Sequence, residues 1–331
     1  MKRLVLILFL SAVTFSVMAQ QVTVELMYDK STASPAVVAK AEHNLQLLIT
    51  EINYAYRNNR AVSMTSIPMS DFAKRAINML WKNVQFETCQ NNLRDKLWVF
   101  KRNKMMQVLH LPFVLHDNSP VDGDRQDAVV EFDLTGKITD FRFGIDPELS
   151  ESMENYNEVA DLENQAIITK WVQHFYTAYY EKDIDFLNKV FSDDALIITG
   201  NVVKIKTPEV GVVEKVSFKK QTKTQYLRNL QRTFARNREI RVNFQLLDNP
   251  EGGKGKFITH RKGKNGRDFY GVRLRQEWKS DRYHDEGYVF LLWEFPENSD
   301  PIIHVRTWQP EMLNGKKIDY NDIFSDTDFV F

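Results

Sequence analysis

The sequence predicts an α+β fold of two tandem domains, each an antiparallel sheet that curls over a long helix. Three observations carry that expectation. Ile167, Ile168, Trp171, Val172, Phe175, Ala178 and Tyr179 recur at helical steps and place one apolar stripe on a helix between about Asn164 and Lys182. Lys170, Gln173, His174 and Thr177 take its opposite face. Downstream lie several apolar runs with strand-like alternation, and the first half of the chain passes through a similar order of elements.

With 331 residues, 43% of them apolar and 27% charged at zero net charge, the composition is that of a soluble globular protein with room for two domains. Without a basic excess, nucleic acid and anionic lipid are not expected partners. Lys2 and Arg3 precede an apolar run from Leu4 to about Val13, and Val17-Met-Ala19 offers the residues a signal peptidase reads. That run is shorter than the roughly 20 residues a membrane helix needs. Residues 1–19 are therefore expected to be a signal peptide cleaved after Ala19, leaving a soluble periplasmic or extracellular protein with no membrane span. Cys89 stands alone, so no disulfide forms within the chain, and its apolar-flanked setting predicts a small buried hydrophobe. No Cys or His cluster has metal-site spacing, and no cofactor is expected.

In the first half, residues 20–150, Ser34-Pro35 opens a helix whose stripe runs Val38, Ala41, Leu45, Leu48, Ile52, Ala55. Ser70-Asp71 caps a second helix. Val84–Cys89, Leu93–Phe100, Met105–Leu115, Ala128–Phe132 and Ile138–Ile145 then read as strands. Residues 151–162, acidic and without apolar periodicity, read as a linker.

In the second half, residues 163–310, the long helix is followed by a short one over Ile184–Val190 and a strand from Ala195. Val202–Lys220 reads as a hairpin with solvated lysines, and Thr222 or Thr224 caps a further helix. Strands follow at Ile240–Leu247, Phe257–Arg261, Phe269–Lys279, Gly287–Phe295 and Ile302–Trp308. Gly252-Gly253 is a turn and no phosphate cradle, because neither a strand-to-helix junction nor Gly-Lys-Ser/Thr surrounds it. Residues 311–331 form an acidic, aromatic tail without calcium-loop spacing, fit to dock on its own sheet or to be captured as a strand by another protein.

The order helix, short helix, strand, helix, then long antiparallel strands, with Tyr179-Tyr-Glu-Lys-Asp183 leading to Phe191-Ser-Asp-Asp-Ala195, resembles the nuclear transport factor 2-like superfamily, which includes SnoaL-like and ketosteroid isomerase-like cones. The resemblance covers about Leu162–Pro310; the first half matches by element order and lacks the Asp-Asp-Ala junction. It implies two tandem cone-shaped domains, each a curved antiparallel sheet wrapped around a long helix to make a pocket. The superfamily holds isomerases, dehydratases, hydrolases and non-catalytic domains, so fold alone does not choose among them. Aligned on Asp183 and Asp194-Ala195, the isomerases' helix tyrosine falls on Phe175 and their general-base aspartate on Thr199. A phenyl ring donates no hydrogen bond and an unassisted hydroxyl is a poor base, so isomerase chemistry is not expected.

Tyr176 and Tyr180, one turn apart, with Thr199 and the same-parity Tyr270, Gln276 and Trp278, are the candidate pocket residues, suited to a small apolar ligand. Arg273 and Arg275 on one strand, and His304, Arg306 and Trp308 on another, are the candidate surface for a protein partner. His304 with Glu294 or Glu277 is a possible proton-transfer pair lacking a third member. The sequence thus predicts an exported, non-catalytic binding protein of the cell envelope. The alternative is a dehydratase- or hydrolase-type enzyme using the second cone. Pairing of sheets, within the chain or between two copies, is compatible with either.

Overall fold

The computed structural model describes residues 21–116, 125–144, 162–207, 211–245, 247, 258–264, 266–281, 283–296 and 299–329. The signal segment, all but the last residue of the linker and the Gly252-Gly253 turn lie outside the described residues. Among those described, no helix is long and apolar enough to cross a membrane.

The first half begins with β1 (Thr23–Met27), followed by α1 (Pro35–Arg57) and α2 (Asp71–Asn83). Ser34 caps α1 by accepting from the Val37 amide, Pro35 occupies the first turn, and the Val38-to-Ala55 stripe is buried. Ser70 caps α2 in the same way. The strands are β2 (Gln85–Glu87), β3 (Asn92–Phe100), β4 (Met105–His116), β5 (Arg125–Asp133) and β6 (Ile138–Phe143). They form one sheet in the order β1-β3-β4-β5-β6, with β2 paired to the far end of β4.

The second half comprises α3 (Leu162–Glu181), α4 (Ile184–Val190), the long hairpin β7 (Phe191–Thr207) and β8 (Gly211–Gln221), and α5 (Lys223–Arg236). Then come β9 (Ile240–Gln245), β10 (Ile258–Lys262), β11 (Asp268–Ser280), β12 (Tyr283–Glu294) and β13 (Ile302–Pro310). Their sheet runs β10-β11-β12-β13-β7-β8, with β9 on β11. Phe175, 1% exposed, packs inside this cone against Phe191, Phe244 and Trp293, while Trp171 at its margin stacks on Phe186.

The expected α+β architecture is present, and the pairings of the two halves correspond. β2 sits on β4 as β9 sits on β11, the β3–β4 hairpin matches β10–β11, and β5–β6 matches β12–β13. The sheets are antiparallel apart from β1 on β3 and β7 on β13. That second parallel contact has a vestige in the first half, a single parallel bridge between Met69 and Ile138.

The halves meet through α3, α2 and β6 and share one contiguous apolar core, with Phe143 edge-on to Tyr180 at 5.3 Å. A buried polar seam lies beside it. Arg142, wholly buried, donates to Asp140 (2.6 Å) and to Gln173 on α3 (2.9 Å), while His174 lies 2.8 Å from Asp140 and Lys170 2.8 Å from Glu131. Lys170, Gln173 and His174, the polar face of the predicted helix, are thus the residues that join it to the other half. Cys89, expected buried, is exposed, because β2 ends at Glu87 before reaching it.

The tail folds back on its own chain. Two short strands, β14 (Met312–Leu313) and β15 (Lys316–Lys317), lead into turns that cover the outer face of the second sheet. Phe329 stacks on Phe290 at 5.6 Å, Ile323 is buried, and Gln309 donates to the Asp322 carbonyl and accepts from the Phe324 amide.

Candidate functional site

A cavity of about 500 Å³ lies between α5 and the inner face of the second sheet. The Thr222–Gln225 capping box fixes where α5 starts. From that start, Tyr226, Asn229, Leu230, Thr233 and Arg236 fall three and four residues apart on one helix face and form one wall. The opposite wall is the even-numbered face of β11, Gln276, Trp278 and Ser280, continued by Asp285 across from Trp278 on β12. Thr199 and Gly200 of β7, Gln221 of β8, and Arg306 and Trp308 of β13 complete it, with Tyr283, Asn229 and Arg236 exposed at the rim.

Two glycines make room for the Trp308 indole. A Cβ on Gly200 would stand 2.8 Å from the ring, and one on Gly287 would stand 2.8 Å from its Nε1. The ring thus lies in a trough between β7 and β12 that any larger residue would fill.

The cavity is polar at defined points. Asn229 donates to Gln221 Oε1 (2.8 Å) and Gln221 donates to Thr199 Oγ1 (2.7 Å), tying α5, β8 and β7 together. Tyr179 and Tyr226 share a hydrogen bond of 2.9 Å between hydroxyls, and the Arg306 guanidinium carbon lies 5.1 Å from the Tyr226 ring centroid. Arg306 is 5% exposed, and its Nε and Nη1 have no hydrogen-bond partner among the described residues. Asp285 accepts from the Tyr283 hydroxyl (2.8 Å) through Oδ2, and its buried Oδ1 is unpaired. Burial pushes the Asp285 carboxyl above its usual range, against the pull of Tyr283, Arg306 and His284.

Of the pocket residues read from sequence, Thr199, Gln276 and Trp278 line this cavity. Tyr176 and Tyr180 do not: Tyr176 donates to Gln126 of the first sheet (2.7 Å), and Tyr180 packs on Phe143. Helix α3 has sheet on two sides, so a residue on its apolar stripe need not face the second cone. Tyr270 has the right parity but sits further along β11, stacked on His260 at 4.9 Å.

The partner-surface expectation is corrected. Arg306 and Trp308 face inward and are buried. Parity groups them with His304, but the β12–β13 and β13–β7 registers both shift around His304. A bulge there leaves His304 and Val305 together on the outer face, against Phe269, and turns Arg306 and Trp308 inside. Arg273 and Arg275 are on the outer face, but the protein's own chain occupies them. Arg273 donates to the carbonyls of Tyr320 (2.7 Å) and Ile323 (3.2 Å), and Arg275 binds Glu311, Gln245 and Glu286. His304 does pair with Glu294 at 2.7 Å, with Arg267 on the same carboxylate, on the face away from the cavity.

Asn229, Tyr226, Asp285 and Tyr283 were missed as site residues. The signal was the polar run Asn229–Thr233–Arg236 on the face of α5 that also carries Tyr226 and Leu230. An amphipathic helix with polar groups beside its buried stripe is either solvated or facing a wet cavity, and only the fold decides which.

No family model matches the chain, and no curated protein matches it. Solved structures do. Bd1075 from Bdellovibrio bacteriovorus is 9% identical, covering 62% of this chain and 68% of its own, with a TM-score of 0.33. An NTF-2 like protein of unknown function from Shewanella oneidensis is 13% identical over 44% of this chain and 98% of its own, with a TM-score of 0.30. A Novosphingobium aromaticivorans protein designated a scytalone dehydratase is 9% identical over 48% of this chain and 91% of its own, with a TM-score of 0.31. One of these structures is described as NTF-2 like, the superfamily that the sequence resembles. At these scores the likeness says nothing of chemistry, which has to come from the chain's own residues.

Proposed function

We propose that this chain is an exported, non-catalytic protein of the cell envelope that holds a small molecule in the cavity of its second half. The observation that supports the reading is the cavity itself: it lies within the size range of ligand sites, combines aromatic walls with a few polar groups, and is not filled by the protein's own side chains. Capture of a protein partner on the outer sheet face is less well supported, because the tail already covers much of that face. Isomerase chemistry has no support in the two aligned positions. Phe175 is packed in the core, and the Thr199 hydroxyl already accepts from Gln221.

A second reading, an enzyme of the dehydratase or hydrolase type, is favoured by Asp285, an incompletely paired carboxyl held above its usual range across the cavity from Arg306. Two measurements separate these readings. Native mass spectrometry of the protein recovered from envelope extracts should show a chain beginning at Gln20 and carrying a non-covalent small molecule. Asn229→Trp, which puts an indole into the cavity, should abolish that added mass. Recovery of full-length chain from the cytoplasm defeats the export proposal, and an added mass unaffected by Asn229→Trp defeats the cavity. If Asp285→Asn retains the molecule unaltered, the binding reading stands; if it traps a molecule that the wild type converts, the enzyme reading replaces it.

A further inference from the structure

We infer that the ligand of this cavity is a small organic monoanion, a flat apolar body bearing one carboxylate that sits on Arg306. The inference rests on the cavity being a ligand site and adds the chemical class of what fills it. Arg306 is a permanent cation, 5% exposed, on the inner face of β13, and its Nε and Nη1 are unpaired among the described residues. A buried guanidinium with open N–H groups is costly unless an acceptor meets it, and a carboxylate is the acceptor its planar donor array fits best. The fold supplies only part of that acceptor. The Tyr179 hydroxyl, shared with Tyr226, engages the guanidinium and Asp285 attracts it while giving one oxygen to Tyr283, but none of these reaches Nε or Nη1.

The rest of the lining sets the body of the molecule. Trp278, Trp308 and Tyr226 are flat, rigid walls that suit an aromatic or other planar apolar group. Asp285 limits the charge: a second negative group in the same space would meet a carboxylate, so one anionic group is favoured over two. Arg236, exposed at the rim, adds a positive field that attracts an anion toward the mouth.

The test is isothermal titration of the mature protein with phenylacetate and 2-naphthoate, each beside its own neutral amide, phenylacetamide and 2-naphthamide. At least one acid is expected to bind roughly 10- to 100-fold more tightly than its amide, the effect of a hydrogen bond to a charged group. Arg306→Gln should erase that preference, since the glutamine amide offers a carboxylate no charge. Should Arg306→Gln not fold, Asp285→Asn serves in its place and should tighten the acid while leaving the amide unchanged. Equal affinity of acid and amide in the wild type overturns the anion assignment and leaves the cavity reading intact. Failure of all four probes to bind at millimolar concentration overturns both.

Discussion

The two halves build the same strand pairings to opposite ends. In the first, α2 is the next element after α1, packs directly on β6, and Ser70 donates to the Thr139 carbonyl on that strand (2.7 Å). Inside, Phe86, Phe113, Phe141 and Phe143 fill the space with edge and stacked contacts of 5.4–5.9 Å. In the second, the β7–β8 hairpin is inserted before α5, so α5 packs on β7 instead of on β13, the counterpart of β6. The inner face of β13 is left to a cavity floored by Arg306 and Trp308. The lesson is that the same pairing scheme leaves open what packs inside the sheet, and that the strand on which the capping helix rests differs between the halves.

The largest effect expected from that comparison is on core truncation. Phe86→Ala, at a fully buried ring with four aromatic neighbours, should cost about 3–5 kcal/mol in denaturant unfolding. Trp278→Ala, at a half-buried cavity wall, should cost about half as much, because one side of the ring already lacks packing partners. Equal costs would break the solid-versus-hollow contrast.

A smaller difference is expected between one glycine of each half. Gly287→Ala would put a Cβ 2.2 Å from the Gln309 carbonyl and against Trp308, and should destabilise by about 2–3 kcal/mol while disturbing ligand binding. Gly144→Ala, at the end of the first half's hairpin, meets the Asp127 carbonyl at 3.3 Å and should cost less than about 1 kcal/mol in the same unfolding measurement.

The remaining effect concerns the seam that joins the halves. Burial alone would push Asp140 up, but His174, Arg142 and Lys170 hold its carboxyl well below the usual carboxylate range. A carboxyl depressed in the folded state contributes stability above its unfolded pKa, and that stability is lost as pH falls through the folded value. Acid titration of wild type should therefore show a loss of stability on the acid side of the ordinary aspartate range. Asp140→Asn should flatten that part of the curve, and an unchanged acid limb would mean that the seam contributes nothing to holding the halves together.

Most of the secondary structure was legible because it rests on local chemistry. Ser34-Pro35, Ser70 and Thr222 cap helices where the residue types require it, and the strands fall within a few residues of the apolar runs. Three of the six pocket candidates line the cavity, Gln276 and Trp278 because β11 keeps strict alternation past them, and Thr199 on β7. Legibility failed where a residue's direction depends on something non-local. One bulge at His304 reversed the faces of Arg306 and Trp308, and a second sheet beside α3 claimed Tyr176 and Tyr180.

What the amino-acid order determined by itself is the set of elements and their polarity, because capping, periodicity and turn chemistry act over a few residues. What only the tertiary structure decided is which side of a strand faces the cavity, which face of α3 meets which sheet, and where the tail comes to rest. Those depend on register and on packing between residues far apart in the chain, and a shift of one position there exchanges inside for outside.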